Sequence, residues 1–178
     1  MEKTIKNFSF DMSSMRLLSL TIMLAVIMPF ITNAQAGKVN FAGTWALNEA
    51  KSTLGDGGGQ RMGGGNFVAT QEPNLLTVVR TRTNQQGEAV TTTSKYTLDG
   101  KESINTTGRG ESKSVATWSA DGKTLSIETA MTFNMNGESR TMKMSESWAL
   151  TDPKVLSIQS SFTGPNGEVK STRVYDKK

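Results

Sequence analysis

Beyond residue 40 the chain is governed by alternation of apolar and polar positions. Across 123–135, Leu125, Ile127, Met131, Phe133 and Met135 share one parity, while Ser126, Glu128, Thr132 and Asn134 share the other. Across 140–150, Met142, Met144, Trp148 and Leu150 line one face, and Lys143, Ser145 and Ser147 the opposite one. A period of two is that of a strand with one buried face. No stretch after residue 50 carries a 3.6-residue apolar period. Turn signals recur at Gln86-Gly87, Asp99-Gly100, Gly108-Gly110, Asp121-Gly122, Asn136-Gly137, Asp152-Pro153 and Asn166-Gly167. The Asn-Gly and Asp-Gly pairs supply the positive φ angles that tight hairpins need. Three of the turns repeat an aromatic-to-Asp-to-Lys pattern, in Tyr96 to Lys101, Trp118 to Lys123 and Trp148 to Lys154. Their uneven spacing marks a recurring hairpin solution and not a solenoid repeat.

This pattern predicts about ten strands, at 42–49, 66–72, 75–84, 88–97, 102–108, 112–119, 123–133, 138–150, 155–163 and 168–176. The fold class is all-β, an antiparallel up-and-down meander. A flat sheet of that size leaves two unpaired edges and a bare apolar face, and closure into a barrel removes both. A two-sheet sandwich is the alternative. Twenty threonines and fourteen serines after residue 36 suit strands whose outer face meets water.

The N-terminus follows different rules. Lys3, Lys6 and Arg16 form a basic leader, Leu17 to Phe30 is a fourteen-residue uncharged apolar run, and Asn33-Ala34-Gln35-Ala36 sets small residues before Gly37. The run is short for a membrane span of about 20 residues, and a cleavage pattern follows it directly. The expectation is a signal peptide at 1–36 and a single barrel domain at 37–178, with an uncleaved N-terminal anchor as the alternative. Cleavage removes three basic and two acidic residues, leaving 17 against 14 and a net charge of +3. That is an ordinary solubility charge. No cluster of arginines with interleaved aromatics accompanies it, so no nucleic-acid partner is expected. Nor is a stable membrane span expected after signal removal. The mature product belongs outside the cytoplasm, in periplasm or medium.

The chain has no cysteine and no histidine. Disulfides, thiol chemistry, Cys/His zinc sites and Ser-His or Cys-His catalytic pairs are therefore excluded, and no cofactor is implied. Gly55 to Gly65 holds seven glycines in eleven residues, without the Gly-Lys-Ser/Thr of a phosphate loop, and reads as a flexible surface loop. Asn105-Thr106-Thr107 matches a glycosylation acceptor, a pattern too short to carry weight.

Charges interrupt the apolar parity. Arg80 and Arg82 follow Leu76 and Val78 on one face, Glu146 sits between Met144 and Trp148, and Arg173 between Val169 and Tyr175. A solid core tolerates few such groups, whereas a water-accessible barrel interior tolerates them readily. An arginine inside holds a carboxylate bidentately. Two placements stay open for Arg80 and Arg82: inside the barrel, or near a strand end and facing out. Glu146 and Arg173 could also pair with each other.

Phe41-Ala-Gly43-Thr44-Trp45-Ala-Leu47 at the start and Thr172-Arg173-Val174-Tyr175-Asp176-Lys177 at the end resemble the calycin superfamily. More narrowly, they look like the intracellular fatty-acid-binding proteins. The resemblance implies a ten-stranded barrel with Gly43 and Trp45 in structural roles, Trp45 packed near the barrel bottom. In lipocalins the matching tryptophan sits under an arginine from a late strand. By the same resemblance, Arg173 and Tyr175 hold a ligand carboxylate. The family's second arginine has its approximate match at Trp148, beside Glu146, which works against an anion there. The family's helix-turn-helix lid has its place in 49–65, which has little helical content.

The functional expectation is an exported, non-enzymatic binder of a small hydrophobic or amphipathic molecule, with a fatty-acid-like carboxylate as one form. Arg173, Tyr175, Glu146, Arg80 and Arg82 would meet a polar head, and Met131, Phe133, Met142, Met144 and Trp148 an apolar body. Methionine adapts to varied shapes. The same methionines serve ordinary core filling equally well, which makes a filled barrel with a structural or protein-interaction role the rival. A two-carboxylate hydrolytic mechanism lacks a second inward acid beside Glu146.

Overall fold

The computed structural model describes residues 37–53, 64–83, 86–107, 110–135, 138–164 and 167–178. Ten strands run in chain order: β1 Gly43–Thr53, β2 Phe67–Glu72, β3 Leu75–Thr83, β4 Ala89–Thr97, β5 Glu102–Thr107, β6 Gly110–Trp118, β7 Thr124–Met135, β8 Glu138–Asp152, β9 Val155–Gly164 and β10 Gly167–Lys177. All lie in one antiparallel sheet of order β4-β3-β2-β1-β10-β9-β8-β7-β6-β5. The β1–β10 ladder, from Trp45 opposite Lys177 to Asn48 opposite Val174, joins the first and last strands and bends the meander into a barrel. The signal peptide expected at 1–36 and most of the glycine-rich loop, 54–63, lie outside the described residues. Among the described residues there is no helix, and none is long and apolar enough to cross a membrane.

The three Asp turns share one mechanism. The Oδ1 atoms of Asp99, Asp121 and Asp152 accept the N–H of Lys101, Lys123 and Lys154 at 3.2, 3.0 and 3.0 Å. Such short side-chain bonds mimic a backbone turn, which is why aspartate recurs there. The Lys101 side chain and backbone N–H hold the Asp99 carboxyl down to about 2, from an ordinary 3.8. The Ser119 hydroxyl, then the Lys123 N–H, lower Asp121. A depressed native carboxyl stabilises the fold above the unfolded value, and that contribution fades as pH falls through the native one. Stability should therefore decline from about pH 4 toward about pH 2 as Asp99 titrates. Asp99→Asn should flatten that decline in urea midpoints taken over the same range; an unchanged slope would remove Asp99 from the explanation.

Between β4 and β5 there is no backbone ladder, and side chains close the barrel instead. Asn105 accepts the Lys95 N–H at 2.7 Å and donates to the Lys95 carbonyl at 3.0 Å. Ser103 Oγ accepts the Thr97 N–H at 2.8 Å. The Asn105 amide thus plays the part of a missing backbone unit, answering edge groups that otherwise stay unpaired. It is buried and engaged at both amide atoms, so the Asn105-Thr106-Thr107 pattern lies inside this seam. Asn105→Ala should cost about 1–2 kcal/mol and speed hydrogen exchange at the Lys95 amide. Unchanged exchange there would mean the seam is held by other groups.

The base of the barrel is filled. Phe41, Trp45, Leu76, Leu125, Trp148, Leu156 and Tyr175 are fully buried. The segment before β1 plugs this end: Phe41 stacks on Trp118 at 5.7 Å and meets Trp148 edge-on at 5.9 Å. Gln71 ties the plug down, its Oε1 accepting the Phe41 N–H and its Nε2 donating to the Val39 carbonyl. Trp45 donates Nε1–H to the Phe41 carbonyl at 2.9 Å. Where the lipocalin pattern implies an arginine over this tryptophan, Lys177 takes the place, its Nζ 5.4 Å from the ring centroid. Gly43, at φ 152°, lets that side chain lie close, since a Cβ there would come within 2.5 Å of Lys177 Cε.

Candidate functional site: a charged layer in the barrel interior

Strand parity and register stack the inward side chains in three tiers. Above the aromatic base lies a polar layer made of Glu146, Arg173, Ser160 and Ser114, all buried, with Arg80 half-buried beside them. Above that, toward the β7–β8 turn, Met131, Phe133, Met142, Met144 and Phe162 share the inward parity but stay half-buried. Met131 lies opposite Met142, and Met144 opposite Phe162, so these side chains form one contiguous wall. Most inward groups of the base are buried, with Trp118 and Leu150 half-buried at its edge, whereas these apolar groups of the mouth half are all half-buried.

Each charge in the middle layer has a local reason for its position. Trp148 donates Nε1–H to Glu146 Oε2 at 3.1 Å, which two residues of one strand face can do because their side chains are neighbours. Arg173 donates from Nη1 to Ser160 Oγ at 3.1 Å. Ser160 faces Glu146 across the β8–β9 ladder. Arg80 stands at the last β2–β3 pair, opposite Phe67. Its guanidinium lies 5.0 Å from the Phe67 ring centroid and 5.9 Å from that of Trp148, within the range of cation–π attraction. It also reaches the Tyr96 hydroxyl. Its Nε is buried without a hydrogen-bond partner.

The two inward phenols respond to this layer. Burial raises Tyr96, the Glu146 carboxylate adds to the rise, and Arg80 opposes it. Burial likewise raises Tyr175, with Arg80 and Arg173 opposing. Both phenols stay protonated at neutral pH and act as neutral hydrogen-bonding groups.

Most of the sequence-derived candidates converge. Arg173, Glu146 and Arg80 meet at mid-depth, directly above Trp148 and Tyr175 of the base, and Met131, Phe133, Met142 and Met144 line the half above. Arg82 does not join them. It shares the inward parity of Arg80, but it is one residue from the end of β3 and exposed at the rim. Tyr175 also differs from its expected role: it is fully buried in the base, edge-on to Phe67 at 4.9 Å. The arginine that stands by Trp148 comes from β3, not from a position before the penultimate turn. Sequence reasoning missed Tyr96, Ser114, Ser160 and Phe162. Phe162 and Ser160 continue the parity of Leu156 and Ile158 and could have been found from it. Tyr96 opens the Tyr96-to-Lys101 turn pattern, which hides its inward face. No cluster of acidic residues among the described residues is suited to a metal ion.

Comparison with known proteins bears on the fold. No family model matches the chain, and no curated protein does. Among solved structures, zebrafish ileal bile acid-binding protein complexed with cholic acid superposes with a TM-score of 0.54 at 16% identity, over 78% of this chain and 98% of that one. A redesigned β-barrel matches at 13% identity with a TM-score of 0.36, over 77% of this chain and 91% of that one. The chain thus folds as a ten-stranded antiparallel barrel of the calycin-like kind.

Proposed function

We propose that this protein is an exported binding protein for a small amphipathic molecule, taken into the mouth half of the barrel above the charged layer. The observation that carries this reading is the contrast between the tiers. Most of the base is buried, Phe41, Trp45, Leu125, Trp148 and Leu156 fully, while inward Met131, Phe133, Met142, Met144 and Phe162 all remain partly accessible. A barrel built only to be filled has no need of accessible apolar groups on its inner face. Arg80, Arg173 and Glu146 then supply the few convergent polar groups that orient a ligand in an apolar pocket. The zebrafish protein, whose structure contains cholic acid, supports the reading by its fold. The filled-barrel alternative accounts for the base alone.

The test is native mass spectrometry on protein purified after expression of the full chain, followed by displacement of a fluorescent naphthalene sulfonate by a panel of amphiphiles. Saturable displacement at one ligand per protein is expected. A folded protein that carries no small molecule and releases no dye to any member of the panel would reject the reading. Export has its own measurement. Intact mass of the periplasmic product should correspond to a chain beginning at Gly37, and recovery of the 178-residue chain in the membrane fraction would replace export with anchoring.

A further inference from the structure

We infer that three inward thioethers of the mouth half, those of Met131, Met142 and Met144, form a binding site for a soft monovalent metal ion, Cu(I) or its chemical analogue Ag(I). The inference goes beyond the carrier reading above and does not depend on it, since the sulfurs belong to the wall itself.

Five methionines follow residue 36, at Met62, Met131, Met135, Met142 and Met144. Met131, Met142 and Met144 share one tier of the inner wall on two adjacent strands. At the base the same faces of β7 and β8 carry Leu125, Trp148 and Leu150 instead. Strand preference does not ask for the change, since branched and aromatic residues suit strands better than methionine. What the change introduces is sulfur. The register then gathers it: Met131 and Met142 are direct cross-strand partners, and Met144 is the next residue on the same face of β8. Directly opposed Cβ atoms stand about 5 Å apart and same-face neighbours of one strand about 7 Å. A methionine sulfur lies two bonds past its Cβ on an unbranched chain with three rotatable bonds, so the three sulfurs can meet at one point before the wall. All three side chains are half-buried, which leaves them the room to do so. Phe133 and Phe162, the latter opposite Met144, flank the trio and limit the water that competes for a metal.

The donor set fixes the kind of ion. A thioether is soft and uncharged, and it selects Cu(I) over ions that take oxygen, imidazole or thiolate. The chain has neither cysteine nor histidine, so methionine supplies its only soft donor. The layer below favours the same ion. Among the described residues it sets Arg80 and Arg173 against Glu146, an excess of positive charge that repels a dication twice as strongly as a monocation. Its one carboxylate, Glu146, follows Met144 on the same face of β8. A thioether also has no proton to lose. Affinity should therefore be flat with pH, where amine, imidazole or thiolate ligands would make it fall as acid is added.

Titration of the purified protein with silver nitrate in chloride-free buffer, and anaerobically with Cu(I) against the chelator bicinchoninate, tests the site. Native mass spectrometry should show one Ag(I) held by each wild-type protein. Met131→Leu, Met142→Leu and Met144→Leu are swaps of like volume that apolar sites tolerate, with near-UV circular dichroism as the check of folding. Each should weaken Cu(I) at least about tenfold, and the double variant Met142→Leu/Met144→Leu, left with one of the three sulfurs, at least about a hundredfold. Wild-type affinity should change less than about threefold between about pH 5.5 and about pH 7.5. Zn(II) should bind at least about a hundredfold more weakly than Ag(I). Should a variant not fold, wild type labelled with carbon-13 at its methionine methyls serves instead: the signals of Met131, Met142 and Met144 should move together and saturate at one Ag(I). Folded wild type that retains no Ag(I), or a folded double variant that retains it undiminished, overturns the site. So does an affinity that falls about tenfold on acidification, the mark of the terminal amine as ligand, or metal saturation that leaves the three methyl signals unmoved. None of these outcomes decides whether an amphiphile binds, which the dye displacement above measures separately.

Discussion

Trp148→Ala should remove about 5 kcal/mol of folding stability. The indole is fully buried and meets Phe41 at 5.9 Å and Phe67 at 5.6 Å. Truncating a buried tryptophan costs about 3–5 kcal/mol through lost contacts and the cavity left behind. Two further costs follow here. Glu146 loses the Nε1–H that it accepts at 3.1 Å, and Arg80 loses one of its two aromatic faces. A buried carboxylate deprived of its donor adds about 1–3 kcal/mol. Trp148→Phe keeps most of the ring packing and loses the N–H, so it should cost about 2 kcal/mol. Urea unfolding followed by far-UV circular dichroism separates the two. If both variants lose the same amount, the hydrogen bond to Glu146 carries the effect and the packing does not.

The next largest effect should come from a residue without a side chain. Gly110 opens β6 at φ 140°, and a Cβ placed on it would stand 2.4 Å from the carbonyl oxygen of Thr132 on β7. That oxygen belongs to the backbone of a paired strand, so it cannot swing aside as a side chain would. Positive φ alone costs a residue with a Cβ about 1 kcal/mol, and separating two strands adds more. Gly110→Ala should therefore lose about 3 kcal/mol. Gly100→Ala is the control. Gly100 also has positive φ, at 79°, but a Cβ there meets nothing within 4 Å. It should lose only about 1 kcal/mol. Equal losses at the two positions would mean that the close approach of β6 and β7 is not what Gly110 provides.

Much of the barrel was legible because its two strongest signals are local. Parity fixes which residues face inward, and Asp-Gly or Asn-Gly pairs fix where strands reverse, so all ten strands fall within a few residues of their expected places. The largest departure is β1, which runs to Thr53 instead of residue 49. Its second half carries Glu49, Lys51 and Ser52 and alternates poorly, because the register against β10 shifts between Asn48 and Thr53. Ser52 Oγ accepts the Val174 N–H there, holding an irregular stretch that apolar periodicity does not report.

The site was legible in its faces and not in its depths. Parity assigns Arg80 and Arg82 to one side of β3 without distinguishing them. What separates them is position along the barrel: Arg80 is paired opposite Phe67, and Arg82 opposite Val90 near the strand end. The meeting of Arg80 with Trp148 joins β3 to β8, which are not neighbours in the sheet. Contacts across a barrel depend on its curvature and stagger, and neither has a periodicity in the sequence. The same limit explains why Tyr175, inward by parity, belongs to the base, and why Tyr96 was not connected with Arg80.

The claim that the mouth half of the barrel receives an amphiphile is tested most directly at its methionine methyls. Protein labelled with carbon-13 at methionine methyl groups should be titrated with decanoate and followed by two-dimensional nuclear magnetic resonance. Met131, Met142 and Met144 line the half-buried tier, so their three methyl signals should shift together and saturate at one decanoate per protein. Decanoate that binds without moving these signals, or that moves them without saturation, would contradict a ligand site above the charged layer.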